Sequence, residues 1–501
     1  MKPRLLFVGI DGGSHPLVSN AIDAGRLPTL EQLADEGASG VLRSTFPAHT
    51  GPAWTSAFTG VNPGEHGVFQ FWETQSWDYR PRVLGANDWC AEPLWRTLER
   101  HGLTVGVLNV PMTHPPAKLD GGYMLSWPLS RTIHYAEPPE LIRELAAVGA
   151  HYHSDIVSMY RGQLDYVELA EGFVRGRTKA VRHLLSERPV DALFVVYSEV
   201  DRVSHHFWGD REEPREEVLR SYELFDEALG ELLELVSDDC LVAVGSDHGF
   251  GLCTGNLYVH ELLETAGLCA TKYVRETSHD DGPAAELDAD ESASWFTSGA
   301  RYLRTMDWQR TLAFMPAPGC FGLNLNLRGR HRQGQVSPGA EAKAVRERLA
   351  EAVTTLFVDE AGEPLFDLVE REEVYRGSQV AKAPDLLLLP RRPDVMPHPG
   401  LPGEPWGRPT QEAIHREAGV VFLRGESVPV GAALSPARVE DVAPTLLALL
   451  GLPVQEGLDG KWLVGRDSPA IEPRQPYGGA PELREDDEHV LEDRLAAMGY
   501  I

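Results

Sequence analysis

Six carboxylates and imidazoles in this chain have the types and the spacing of metal ligands. They are Asp11 in VGIDGG, Asp201 and His205 in SEVDRVSHHFW, Asp247 and His248 in AVGSDHGF, and His415 in EAIHREAG. A hydroxyl, Thr50 in HTGPAWTS, is a candidate to work between the metals. Three aspartates, three histidines and one hydroxyl suffice for two divalent ions with positions left open for substrate. Nitrogen and carboxylate ligands without thiolates suit Zn2+ best, with Mn2+ or Fe2+ as alternatives. Such a pair would clamp the attacking and leaving oxygens of an in-line displacement at phosphorus. The chemistry indicated is hydrolysis.

Taken singly, each group also fits an ordinary structural role. Asp247 can cap a turn, Asp11 can serve a tight Asp-Gly-Gly turn, and the Asp201/His205 pair can be a surface contact on one helix face. His206 and His66 read as structural. The joint occurrence carries the argument, because three of the four ligand groups closely follow apolar runs.

Those runs, 5–10, 193–196 and 241–244, predict buried strands, and residues at the carboxyl ends of parallel strands converge on one crevice. Another apolar run at 105–110 predicts a further strand. Leu30, Leu33 and Ala34 mark a helix, as does the pattern from 165 to 188. Between 213 and 236, Val218, Tyr222, Phe225, Leu229, Leu232 and Val236 step by four and three, which predicts an amphipathic helix leading into the strand at 241. The alternation is that of an α/β fold, a largely parallel sheet with helices on both faces.

The rhythm breaks from 251 to 375, where an acidic polar loop (276–291), a strand-like 321–327 and a helical 341–357 predict an inserted cap subdomain. The expected organisation is a catalytic core in two parts, 1–250 and 376–465, interrupted by the cap. The Pro/Gly-rich stretch 390–409 reads as a long loop, 442–450 as a helix, and 466–501 as an acidic tail ending in a helix.

With 46 Lys and Arg against 75 Asp and Glu, the 501-residue chain carries a formal charge of −29. That field disfavours nucleic-acid polymers and anionic membranes as partners. A small anionic substrate stays compatible if metal ions invert the local potential. Five cysteines without a CxxC pair, a first apolar run too short for a signal segment, and no stretch of about 18 apolar residues favour a cytoplasmic protein. Composition says nothing of oligomeric state.

The segment STFPAHTGPAWTSAFTGVNPGEHGVFQF, with VGIDGG, VDRVSHHFW, GSDHGF and HREAG, resembles the alkaline phosphatase superfamily, and within it the type I phosphodiesterase/nucleotide pyrophosphatase family. The ending DVAPTLLALLGLPVQEGLDGKWL is similar as well. The resemblance implies an alkaline-phosphatase-like core and makes Thr50 the nucleophile, by its count to Thr59-Gly60. Thr45, in a competing TFP string, is the alternative. It further implies that Asp11, Thr50, Asp247 and His248 hold one metal, and that Asp201, His205 and His415 hold the other.

The implied activity is hydrolysis of a phosphodiester or nucleotide pyrophosphate bond through a phospho-threonine. Phosphomonoester hydrolysis or phosphoryl transfer on the same machinery is the alternative, and a non-catalytic metal-containing binding protein a remoter one. Four further residues are candidate substrate contacts. The Gly51 N–H would meet a phosphate oxygen, with Trp54 in the same segment; Trp72 would stack on a base, line an apolar leaving-group pocket or pack under an insertion, and Arg202 would contact the phosphate or pair with nearby acids. The basic run 329–334 reads as a cap loop facing phosphate or a solvated turn.

Overall fold

The computed structural model describes residues 2–128, 134–150, 165–275, 302–465 and 468–477, with Thr132 and Tyr152. The expected acidic loop 276–291 and the terminal helix lie outside the described residues.

Strand β1 (Leu5–Ile10) is buried along its whole length, and its side chains alternate between two cores. Leu6, Val8 and Ile10 pack under the helices Pro28–Glu36, Tyr166–Glu187 and Glu216–Leu233. Leu5 and Phe7 pack on the other face, with Trp54 and Phe58 of the helix Thr50–Thr59 and Leu446 of the helix Val442–Leu449. A strand apolar on both faces belongs in the middle of a sheet covered on both sides.

In chain order the other sheet strands are β2 (Ala38–Arg43), β3 (Val105–Leu108), β4 (Tyr123–Leu125), β5 (Ala136–Glu137), β6 (Ala192–Tyr197), β7 (Leu241–Gly245), β8 (Ala418–Arg424), β9 (Ala432–Ala433) and β10 (Ala437–Arg438). Their spatial order is β9-β2-β8-β7-β1-β6-β3-β4-β5, with β10 also paired to β2. The central run β7-β1-β6-β3-β4 is parallel throughout, and β8 runs antiparallel to both β7 and β2. The four strands and the helices expected near 28–36, 165–188, 213–236, 341–357 and 442–450 are all present.

A second unit has its own core, including Leu257, Leu323, Leu349, Phe357 and Leu388. Its antiparallel sheet runs Ala313–Phe314, Gly322–Leu325, Leu386–Pro390, Phe366–Glu370, with the helix Ala340–Leu356 packed on it. The strands at 386 and 395 thus pair within this unit, past the boundary of 375 expected from the sequence. The stretch 390–409 is not a plain loop either. Val395–His398 and Trp406–Gly407 both pair with Gly255–Tyr258. Their partner lies about 140 to 150 residues away, so no local pattern announces the pairing.

Candidate active site

The carboxyl ends of β1, β6 and β7 deliver the acidic cluster. Asp11 follows β1 directly, and its backbone N–H donates to the carbonyl of Tyr197 at 2.9 Å. Gly12 then turns with φ +77, where a Cβ would come within 2.5 Å of the Phe250 ring and 3.0 Å of the Asp201 Cα. Only glycine lets the Asp11 loop approach so closely. The Gly12 N–H donates to Asp247 Oδ1 at 3.1 Å, so the turn also orients a second carboxylate. Asp201 and His205 lie one turn apart on the helix Glu199–Phe207, with His205 Nε2 3.4 Å from Asp201 Oδ1. His415 arrives on the strand Ala413–Arg416, paired antiparallel with Gly249–Leu252 directly after Asp247 and His248.

All three histidines are held the same way. Nδ1 of His205, His248 and His415 faces the carbonyl of Ala413 at 3.0 Å, Gly249 at 3.2 Å and Ala48 at 3.0 Å. A carbonyl only accepts, so each Nδ1 carries the proton and each Nε2 presents a lone pair to the cluster. His205 and His415 bring those nitrogens within 2.9 Å of each other. Two facing lone pairs repel unless a cation sits between them.

The carboxylates press the same point. Asp247 is fully buried, and its Oδ2 has no hydrogen-bond donor, although His248 Nε2 lies 3.2 Å away. Burial, reinforced by the charge of Asp201, pushes the Asp247 carboxyl well above the usual carboxylate range. Burial opposes ionisation of Asp201 too, yet positive charge at the His205 and His415 nitrogens that face it, 3.4 and 3.3 Å away, would hold it well below that range, a charge that a bound cation supplies when those nitrogens are unprotonated. Burial drives His248 well below its ordinary value and lowers His415, with their imidazole neighbours adding to the effect. A neutral imidazole and a crowded carboxylate are the states a divalent ion needs. The donor set, free of thiol, fits such an ion.

One ligand atom each from Asp11, Asp247 and His248 lies within 4.8 Å of the others, and the same holds for Asp201, His248 and His415. His248 therefore stands between the two groups, its ring stacked on His415 at 3.6 Å. Thr50 opens the helix Thr50–Thr59 and is buried, with Oγ1 3.2 Å from His248 Nε2. The rival Thr45 turns its hydroxyl to the carbonyl of Pro47 at 2.9 Å. All seven residues expected at the metals come together.

The four expected substrate contacts do not line the cavity of about 680 Å3 beside the cluster. Gly51 donates its N–H to the capping side chain of His49, at 3.3 Å. Trp54 is buried in the core, and its indole N–H donates to Asp11 Oδ2 at 3.1 Å. Arg202 is buried on its helix, and Trp72 packs with Ala317 and Phe71. In the basic run, Arg330 pairs with the buried Asp385, a structural bridge within the cap unit. His66 is likewise structural, with Nε2 2.9 Å from Ser56 Oγ.

Sequence reasoning missed His49 and Phe250. His49 is buried against the Phe71 ring at 4.6 Å and lies 5.8 Å from His415, and burial pushes it down to about 3. Phe250 packs edge-on against His205, His248 and His415. Adjacency to Thr50 and to His248 was the one signal for either.

Residues 5–398 match the family described as type I phosphodiesterase / nucleotide pyrophosphatase. The chain belongs to that family. It is accordingly a phosphoester hydrolase. No curated protein matches the chain in sequence. Among solved structures, phosphonoacetate hydrolase from Sinorhizobium meliloti 1021, in complex with phosphonoformate, is similar at a TM-score of 0.56 and 16% identity. That match covers 88% of this chain and 94% of the other. Human ectonucleotide pyrophosphatase/phosphodiesterase 5 is similar at 0.54 and 14% identity, over 91% and 97% of the two chains. An inactive murine form of the latter, in complex with AMP, gives 0.53 and 14%, over 90% and 96%. The fold is that of the alkaline phosphatase superfamily. Among the described residues no helix is long and apolar enough to cross a membrane.

Proposed function

We propose that this family member hydrolyses phosphodiester or nucleotide pyrophosphate bonds in a small-molecule substrate, with Thr50 as nucleophile and two divalent ions, Zn2+ best suited, as cofactors. The observation that carries the reading is the Thr50 hydroxyl 3.2 Å from an imidazole whose other nitrogen is tied to a carbonyl, inside a cluster of three aspartates and two histidines that His205 joins through His415. Asp11, Thr50, Asp247 and His248 are the proposed ligands of one ion, and Asp201, His205 and His415 of the other. Divalent ions held there would supply Lewis-acid charge to the phosphate oxygens and ease ionisation of the threonine hydroxyl.

The chain's own residues do the rest. Thr50 stands at a helix N-terminus, where the dipole favours an anion. Its Oγ attacks phosphorus as the bond to the departing alcohol or phosphate breaks, and that group leaves with the electron pair. Water then attacks the phospho-threonine, breaking the Oγ–P bond and releasing the product. Trp54 and the Gly12 N–H hold Asp11 and Asp247 in place throughout. The phosphonoformate and AMP carried by the two solved neighbours are both phosphorus oxyanions, in keeping with such a substrate.

The test compares bis(p-nitrophenyl) phosphate with p-nitrophenyl phosphate on the Zn2+-loaded protein. The diester is expected to turn over faster, and Thr50→Ala to lower its kcat by about 10^4-fold or more while the metal content stays. A monoester preference would move the activity to phosphomonoester chemistry. Full activity in the Thr50→Ala variant would sink the nucleophile assignment.

A further inference from the structure

The cavity beside the metal cluster has a character that phosphate chemistry alone does not require. His49, His205 and His415 contribute to its wall, and much of the remaining lining is apolar: Phe46, Pro47, Phe321, Pro390, Pro393 and Met396. These come from three separate stretches, namely the loop before Thr50, the turn before Gly322–Leu325, and 390–396. At about 680 Å3 the cavity has the size of a small-molecule site.

Its polar groups are largely spent on the protein itself. Thr45 donates to the Pro47 carbonyl at 2.9 Å, and Ser14 to the Phe250 carbonyl at 3.4 Å. Among the described lining residues Arg416 is the one lysine or arginine. Its guanidinium donates to the carbonyls of Leu252, His415 and Ile414, at 2.7, 3.2 and 3.3 Å. Its neighbour Glu417 is exposed at the same cavity. A further phosphate entering there would meet a carboxylate and an arginine already committed to carbonyls.

One wall is also held against its backbone preference. Phe321 has φ 45, a region that side chains other than glycine rarely adopt. Its ring sits edge-on to Phe46, at 6.2 Å and 75°. Strain of this kind persists where surrounding structure fixes it, and such residues cluster at ligand sites. Here it presents an aromatic surface to the cavity.

We propose that this cavity holds the retained arm of a phosphodiester, and that this arm is an uncharged aliphatic or aryl alcohol rather than a nucleoside, with or without further phosphate. The assignment rests on the hydrolase reading above. The retained arm stays on phosphorus through both attack by Thr50 and release by water, so a built pocket beside the cluster serves it in both steps. The departing arm needs only an exit.

The experiment uses the full chain with Zn2+ and a series of p-nitrophenyl phosphodiesters whose second arm is methyl, butyl, phenyl or thymidine-5′-yl. Burial of each methylene is expected to raise kcat/KM by about fourfold, which puts the butyl ester roughly 60-fold above the methyl ester. The phenyl ester should exceed the thymidine ester. Met396→Ala and Phe321→Ala should both compress the butyl-to-methyl ratio. A methyl ester cleaved as fast as the butyl and phenyl esters, or a preferred thymidine ester, overturns the pocket while leaving the hydrolase reading intact. If no diester turns over, the hydrolase reading fails, and calorimetric binding then decides the pocket alone. Butyl phosphate binding more tightly than AMP supports it, and AMP binding as tightly or more tightly overturns it.

Discussion

Trp54 joins two parts of the site that chemistry does not require to touch. Its indole N–H donates to Asp11 Oδ2 at 3.1 Å, which leaves Oδ1 of the same carboxylate facing His248 Nε2 at 3.7 Å. The ring fits only because Gly9 lies beneath it, where a Cβ would come within 2.7 Å of the Trp54 ring edge. Trp54→Phe keeps the packing against Phe7 and Phe58 but removes the donor. The expected result is a 10- to 100-fold loss of metal affinity, roughly, by competition with a chelator, with little change in thermal stability. Unchanged affinity would mean that Asp11 needs no such support. This residue shows where sequence reading stops at this scale. Aspartates and histidines at strand ends are legible because their types are chemically specific and their positions topologically fixed. Trp54, Trp72, Arg202 and Gly51 lie near the same motifs, but which way a side chain points depends on packing across the sheet. That information is not local.

At the scale of elements, the helix Glu199–Phe207 matters most, since it carries both Asp201 and His205. It is fastened at its first residue. Glu199 Oε2 meets Arg177 Nη1 at 2.6 Å, both side chains are about 2% exposed, and the guanidinium lies 5.2 Å from the Tyr197 ring. Such a buried pair contributes little net stability, but removing one partner strands the other charge. Glu199→Gln is therefore expected to cost about 3 to 5 kcal/mol in urea unfolding, whereas the double variant Arg177→Met, Glu199→Leu should recover most of it. Two single losses that simply add in the double variant would show that the pair does not fasten the helix. The elements themselves were mostly readable, because runs such as LLFVGI and the three-and-four spacing of Val218 to Leu232 state their own period. The short strands at 395 and 406 were not, since their pairing with Gly255–Tyr258 lies in another part of the chain.

For the molecule as a whole, two histidines outside the set of metal ligands tie stability to pH. His66 accepts the Val68 N–H on Nδ1, at 3.2 Å, and turns Nε2 to Ser56 Oγ; burial pushes it down to about 3. His260, in the cap unit, accepts the Met315 N–H on Nε2 at 3.1 Å and faces the Pro399 carbonyl with Nδ1. Burial lowers it to about 4 from an ordinary 6.5. Each ring already uses one nitrogen as an acceptor, so a second proton would set two donors against each other. The folded state thus keeps both neutral while the unfolded chain takes up a proton below about 6.5. The unfolded state then binds more protons, and stability falls with falling pH until the folded value is reached. The contribution is complete above about pH 6.5 and is lost between there and about pH 4 for His260, with His66 extending to about pH 3. Between about pH 7 and pH 5 each histidine should cost about 2 kcal/mol of unfolding free energy. The variant His260→Gln isolates one of them from the carboxylates and the metal ligands. Its stability deficit relative to the natural chain should shrink by about that amount over the same interval, measured by urea unfolding at the two pH values. A deficit that stays constant would mean that His260 is protonated in the fold, and that the Met315 and Pro399 contacts do not select its neutral form.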